Sequence, residues 1–111
     1  MRSERERQAL TDIAENIDLA LSFGEGLDET AFATDLKSYY AVVRCLEIIS
    51  EASRKLSDEL KARHPELPWK QIAGSGNIYR HDYGNVAHSM VWITLQKDLP
   101  LLKAVVDEEE A

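Results

Sequence analysis

The feature that most restricts the fold of this chain is a long helical repeat of apolar residues in its first half. Apolar or small side chains recur every three or four positions over residues 36–56. This is the period of one face of an α-helix, and it predicts one long helix over residues 35–60. Alternation of apolar and polar residues, the mark of a half-buried strand, is nearly absent from the sequence. We therefore expect an all-α fold.

The segment before this helix predicts two further helical elements. Apolar residues at helical spacing indicate a first amphipathic helix over residues 4–23. The GEGLD sequence that follows should end it. Asp28 is then expected to cap a short helical turn that continues to Phe32, because an aspartate side chain accepts a hydrogen bond from a free N–H of the first turn.

Prolines and glycines mark the boundaries in the second half of the chain. Pro68 should open a third helix, because the N–H that proline lacks has no partner in the first turn of a helix. Gly74 and Gly76 should either weaken this helix or allow another backbone to approach it closely. Asn85 is expected to cap the last helix, and Pro100 should kink or split that helix.

These elements predict one domain, since a chain of 111 residues is long enough for a single core but not for two. The expected architecture is an up-and-down bundle of four to five helices over residues 1–106. The acidic sequence at residues 107–111 should form a solvated tail.

Composition excludes several classes of protein. Hydrophobic residues make up 44% of the chain and charged residues 30%, which is typical of a globular protein. No apolar run approaches the roughly 20 residues that span a bilayer, and the charged N-terminus lacks the apolar stretch of a secretory signal. We therefore expect a cytoplasmic protein. Cys45, the single cysteine, excludes an internal disulfide and a cysteine zinc cluster.

The charge distribution leaves a local phosphate site possible. The net charge of −7 opposes broad binding to nucleic acid, whose affinity comes largely from contacts to phosphates. Residues 54–80, however, contain six Lys or Arg and only three Asp or Glu. This basic segment ends inside the most unusual stretch of the sequence, YRHDYGN at residues 79–85.

The YRHDYGN stretch combines groups that are costly to bury together. His81 can take or give a proton near neutral pH. Arg80 is a permanent cation suited to phosphate, and the Tyr83 hydroxyl can bond phosphate or be modified. Such groups can cleave a phosphodiester without a metal. The alternative interpretation, which spacing alone favours, is a capped helix end with a surface ion pair between Arg80 and Asp82.

Two longer stretches carry a resemblance to a known family. They are YYAVVRCLEIISEASRKLSDELKARHPELPWKQIAG and HDYGNVAHSMVWITLQKDLPLLK. The chain resembles the HepT-like branch of the HEPN superfamily over nearly its whole length. The resemblance implies a compact helical bundle that pairs as a symmetric homodimer. It also implies a ribonuclease toxin encoded beside a minimal nucleotidyltransferase antitoxin. A dimer would suit the bulky aromatic residues, which exceed what one small core needs: Tyr39, Tyr40, Trp69 and Trp92.

The family motif is an arginine, four to six further residues, a histidine, any residue and a tyrosine. His81 and Tyr83 match its second half, and Asn77 matches the asparagine that often follows the motif arginine. The arginine itself is missing, because glycines and a serine occupy residues 74–76. Arg80 is the nearest guanidinium, but adjacent residues of a helix lie about 100° apart around its axis. Either the helix ends before Arg80, or Arg80 of one chain serves His81 of the other.

The resemblance therefore predicts a metal-independent endoribonuclease toxin that needs no cofactor and is neutralised by its nucleotidyltransferase partner. His81 would be the general acid/base, Arg80 the phosphate-binding cation, and Tyr83 and Asn77 phosphate contacts. The partner would transfer AMP to Tyr83. The alternative is a noncatalytic helical module that binds a nucleotidyltransferase or a nucleotide and has lost the motif arginine.

Overall fold

The computed structural model describes the backbone of residues 2–81 and 85–111 and the side chains of residues 2–76 and 88–111. All regular secondary structure in this part of the chain is helical, which confirms the predicted all-α bundle. None of the described helices is both long and apolar enough to cross a bilayer. The elements are α1 (Glu4–Gly24), α2 (Glu29–Thr34), α3 (Leu36–Ser53), α4 (Asp58–Arg63), α5 (Trp69–His81), α6 (Asn85–Ile93), a π-helical segment (Thr94–Asp98) and α7 (Leu99–Glu110).

The N-terminal boundaries agree with the sequence prediction, because local capping residues set them. The Ser3 side chain accepts a hydrogen bond from the backbone N–H of Glu6 and starts α1. The turn after α1 contains Gly26 with a φ of 80°, a conformation that costs glycine little. Asp28 then accepts from the N–H of Ala31 at 2.8 Å and caps α2, as predicted.

The prediction of one helix over residues 35–60 is wrong at its C-terminal end. α3 stops at Ser53, and the Ser57 side chain accepts from the N–H of Leu60 at 3.1 Å to start the separate helix α4. Leu56 and Leu60 are still buried on the two sides of this break. The apolar spacing therefore continues across it, and periodicity alone could not reveal the new helix start.

The boundaries at Pro68, Asn85 and Pro100 are each near the predicted place, with a different local geometry. Pro68 lies just before α5, where its carbonyl accepts from the N–H of Ile72 at 3.0 Å. Asn85 is already the first residue of α6 rather than its cap. Before Pro100 the helix does not split but changes to π-helical geometry over Thr94–Asp98, where the N–H of Leu99 bonds five residues back to the carbonyl of Thr94.

The core lies around α3. α1 packs along α3, α3 packs against α5, and α7 packs against α1. Buried apolar side chains come from α1, α2, α3, α4, α6, the π-helical segment and α7, whereas the described part of α5 contributes the partly buried Trp69 and Ile72. The largest ones that are fully buried are Phe32, Leu10, Ile13, Ile17, Leu60, Leu95, Val42, Val91 and Val106.

The C-terminal end of the chain is packed, so the prediction of a solvated tail is wrong for Glu109. α7 continues through Glu110, and only 8% of the Glu109 side chain is exposed. Its carboxylate accepts hydrogen bonds from Arg2 at 2.6 Å and from Arg63 at 2.8 Å, and it lies 2.5 Å from Nε2 of His64. This network joins the beginning of the chain, α4 and the end of α7.

The same network favours the charged form of its carboxylates. The hydrogen bond from Arg63 lowers the pKa of Glu109 to about 2, against an opposing effect of burial and with a further contribution from His64. Burial also opposes ionisation of Glu6, but hydrogen bonds from Ser57 and the nearby Arg2 outweigh it and lower the pKa of Glu6.

The lowered pKa of Glu109 predicts acid sensitivity of the fold. A carboxylate whose folded pKa lies near 2 rather than the ordinary 4.5 stabilises the folded state above pH 4.5 and loses that contribution as the pH falls toward 2. Glu109→Gln should lower the free energy of unfolding at pH 7 by roughly 1–2 kcal/mol, allowing for solvent screening. It should also flatten the pH dependence in this range. Urea unfolding at a series of pH values measures both effects.

Glu108→Gln is the matched control, because Glu108 is the exposed neighbour of Glu109 on the same helix. It should leave the free energy of unfolding close to the wild-type value. Equal pH profiles for the two variants would contradict a stabilising role for the Glu109 network.

Candidate functional site

The YRHDYGN stretch lies where α5 ends and α6 begins. Asn77, Arg80 and His81 belong to the last turns of α5, and α6 starts at Asn85. The side chains of Asn77, Arg80 and His81, and Tyr83 as a whole, lie outside the described residues. Their roles therefore stay predictions, and the structure defines the helices that carry them.

The backbone of α5 shows whether the helix ends before Arg80, which is one of the two arrangements considered for this residue. α5 is helical through His81, so it does not end before Arg80. Positions 80 and 81 are consequently separated by about 100° around the helix axis. Asn77 and His81, four residues apart, occupy the same side of the helix. This geometry contradicts the first of the two arrangements considered for Arg80, in which the helix ends before that residue.

α5 is held against α3 by a close contact at Gly76. The Ser50 hydroxyl, on α3, donates to the carbonyl of Ala73 at 2.8 Å and accepts from the N–H of Gly76 at 3.2 Å. A Cβ at residue 76 would lie 3.2 Å from the Ser50 Oγ, whereas one at residue 74 would meet nothing within 4 Å. Close approach, one of the two roles predicted for the glycines, is therefore confirmed for Gly76.

An aromatic cluster holds α6 on the other side of the stretch. Phe32 of α2 is fully buried, and its ring centroid lies 5.8 Å from that of Tyr39 and 5.3 Å from that of Trp92. The centroids of Tyr39 and His88 are 4.1 Å apart. These contacts join α2, α3 and α6, so the helices on both sides of the stretch are anchored to the same core.

Most of the aromatic residues that suggested an interface belong to this chain's own core. Tyr39 is buried, and Trp69 and Trp92 are partly buried against the core. The Trp69 indole N–H donates to the carbonyl of His64 at 2.9 Å and fixes the start of α5. Tyr40 is the exception, with 57% of its surface exposed.

Other polar residues take structural roles in the described part of the chain. His64 is buried beside the Glu109 carboxylate. Burial raises the pKa of the Cys45 thiol, which disfavours a reactive thiolate. Among the described residues, no group of three or more His, Cys, Asp or Glu side chains is arranged to hold a metal ion.

Sequence reasoning missed the Ser50 contact and the Glu109 network. The signal for the first was a serine on the apolar face of α3 together with two glycines in α5. Helical spacing suggested the face, but it could not say which glycine would meet which residue. The Glu109 network joins residues more than 100 positions apart. A local sequence pattern cannot predict such a pairing.

Comparison with known proteins gives one consistent family. The model of the ribonuclease HepT-like family matches residues 13–109. A protein of Thermococcus cleftensis named "Probable ribonuclease HepT" is 39% identical over 94 residues, which are 85% of this chain and 86% of that protein. "Putative RNase MJ1380" of Methanocaldococcus jannaschii is 34% identical over 106 residues, which are 95% of this chain and 97% of that protein.

A third relative, "Putative RNase TTE0752" of Caldanaerobacter subterraneus, is 33% identical over 102 residues, which are 92% of this chain and 91% of that protein. No solved structure matches the chain. The family model covers most of the sequence, and the relatives align over nearly their full lengths. The chain therefore belongs to the ribonuclease HepT-like family.

Proposed function

We propose that this protein is the metal-independent endoribonuclease toxin of a HEPN/nucleotidyltransferase toxin–antitoxin pair. The observation that carries the proposal is the family match over residues 13–109, together with the family's His-x-Tyr sequence at His81 and Tyr83. We also propose that the protein acts in the cytoplasm on RNA.

The proposed reaction uses groups at the junction of α5 and α6. His81 removes the proton from a ribose 2′-OH, and that oxygen attacks the adjacent phosphorus. The bond from phosphorus to the 5′-oxygen of the next nucleotide breaks, and the departing oxygen receives a proton from the protonated histidine. Arg80 offsets the charge that develops on the phosphoryl oxygens. Tyr83 and Asn77 contact the phosphate and orient it.

The catalytic proposal predicts the effect of His81→Ala. General acid/base residues typically contribute about 10²–10⁴-fold to a rate, so cleavage of single-stranded RNA should fall by at least about 10²-fold. Cleavage by the wild type should persist in EDTA. Gel-resolved cleavage rates of a labelled RNA measure both effects.

Lys70→Ala is the control, because it removes an exposed cation from the same helix, far from His81. Its rate should stay near that of the wild type. Unchanged cleavage by His81→Ala, or a requirement for magnesium, would remove His81 from its proposed role.

We propose a symmetric homodimer as the active form. The support is the family resemblance, the helical geometry that separates Arg80 from His81 within one chain, and large apolar side chains on the described surface. The most exposed of these are Leu101, Tyr40 and Leu36, each with more than half of its surface accessible. In this arrangement, Arg80 of each chain faces the phosphate bound at His81 of its partner.

The dimer proposal predicts the mass of the protein in solution. Light scattering at micromolar concentration should give about twice the 12.6 kDa of one chain. Buried apolar surface should hold the two chains together at raised salt, because ionic screening weakens charge pairs far more than apolar contacts. A single-chain mass over the whole concentration series would contradict the proposal.

One structural observation favours the alternative, a noncatalytic module that binds a nucleotidyltransferase or a nucleotide. Position 76 is one of the positions from which the family arginine would reach its histidine, and a Cβ there would crowd the Ser50 side chain at 3.2 Å. Position 74 is open but holds glycine. In the alternative, the protein would bind its partner and RNA would stay intact in the cleavage experiment above.

The partnership predicts a modification at Tyr83, which rests on the proposed function. Transfer of AMP to its hydroxyl would release pyrophosphate from ATP and place an anionic group where RNA phosphate binds. Like charge would then repel the substrate. Co-expression with a neighbouring nucleotidyltransferase should add one AMP per chain, and Tyr83→Phe should abolish the addition. Intact-mass spectrometry followed by peptide mapping measures it.

Tyr40→Phe is the matched control, because Tyr40 is an exposed tyrosine outside the proposed site. It should accept AMP as the wild type does. Absence of AMP from the wild type, or its presence on Tyr83→Phe, would contradict the proposal that Tyr83 is the modified residue.

A further inference from the structure

The contact between Ser50 and α5 is unusual because one buried hydroxyl serves two backbone groups of a neighbouring helix. Ser50 is 1% exposed. Its hydroxyl donates to the Ala73 carbonyl and accepts from the Gly76 N–H. Both hydrogen-bonding roles of the hydroxyl are thus used on one turn of α5. A buried polar group left without a partner destabilises the folded state, so the contact resists sliding or rotation of α5 along α3.

Gly76 makes this contact possible. A Cβ at residue 76 would stand 3.2 Å from the Ser50 Oγ, 3.4 Å from the Ser50 Cβ and 3.8 Å from the Glu47 Cα. The absence of a side chain therefore lets α5 lie directly on α3 at this point. The hydrogen bonds and the close packing depend on the same two residues, one on each helix.

The contact lies immediately before the residues of the proposed site. Asn77 follows Gly76 directly, and His81 is five residues further along the same helix. A helix rises about 1.5 Å per residue, so the contact and His81 are separated by roughly 7–8 Å along the axis. A displacement of α5 at Gly76 is therefore passed to His81 with little attenuation, and a misplacement of about 1 Å can reduce a rate by about 10²-fold.

We infer that Ser50 is a positioning residue for the proposed RNA cleavage, acting through Gly76 to set where α5 presents Asn77 and His81. The inference rests on the proposed function. Ser50 has no contact with the reacting atoms in this role. Its effect should therefore fall on the catalytic rate constant rather than on the binding of RNA.

Ser53 provides a matched control within the same helix. It is also a fully buried serine, but its hydroxyl donates to the carbonyl of Ser50 at 2.6 Å, within α3. Ser53→Ala removes a buried hydroxyl and a hydrogen bond without touching the contact to α5. A merely structural role for Ser50 predicts similar behaviour of the two alanine variants.

The experiment compares the wild type with Ser50→Ala, Ser53→Ala, Gly76→Ala and the double variant Ser50→Ala/Gly76→Ala. Steady-state RNA cleavage and hydrogen exchange of the backbone amides in residues 73–81 are measured on the full chain. We expect kcat to fall on the order of 10-fold or more in Ser50→Ala and in Gly76→Ala, with KM little changed. Exchange should be faster in both variants, whereas Ser53→Ala should match the wild type in both measurements.

The double variant separates packing from hydrogen bonding. It removes the 3.2 Å contact to Oγ and leaves the contacts to the Ser50 Cβ at 3.4 Å and to the Glu47 Cα at 3.8 Å. It should therefore recover part of the activity lost in Gly76→Ala without reaching the wild-type rate.

Equal losses of kcat in Ser50→Ala and Ser53→Ala, or no loss in Ser50→Ala, would overturn the inference. A wild type that does not cleave RNA would refute the proposed function instead. In that case the hydrogen-exchange measurement still tests whether Ser50 fixes the end of α5. Equal exchange rates in Ser50→Ala and Ser53→Ala would show that it does not.

Discussion

The burial of α3 between α1 and α5 is the interaction on which the rest of this structure depends. α3 presents apolar side chains to α1 on one side and to α5 on the other. Each fully buried Val, Leu or Ile contributes about 1.5–3 kcal/mol relative to its exposed state. In the described part of the chain, α1 and α5 are both positioned by direct packing on α3, and α7 packs in turn against α1.

The two sides of α3 differ in what they do. Toward α1 the contact is apolar and extended. Toward α5 it includes the Ser50 hydroxyl and the bare backbone at Gly76, which fix register as well as distance. An apolar interface alone tolerates small sliding motions, whereas a hydrogen bond weakens steeply once its geometry is lost. The polar contact lies directly before Asn77, the first residue of the proposed site on α5.

Electrostatics in the described structure divide the basic segment of the sequence into two parts. Arg63 is committed to Glu109, so its charge serves to join the chain ends. Arg54, Lys55 and Lys70 remain exposed and add positive potential to an otherwise acidic surface. The paired arginine therefore stabilises the fold. A count of charges along the sequence cannot make this distinction.

The sequence by itself determined the all-α fold, the start of α1, the cap at Asp28 and the irregular helix geometry just before Pro100, because each depends on residues close together in the chain. It also indicated the family and the residues of the candidate site, since His81 and Tyr83 form a short local pattern. Only the tertiary structure decided the end of α3, the burial of Glu109 and the contact of Ser50 with Gly76. These depend on which residues meet after the helices pack, and helical periodicity specifies a buried face without specifying its partner.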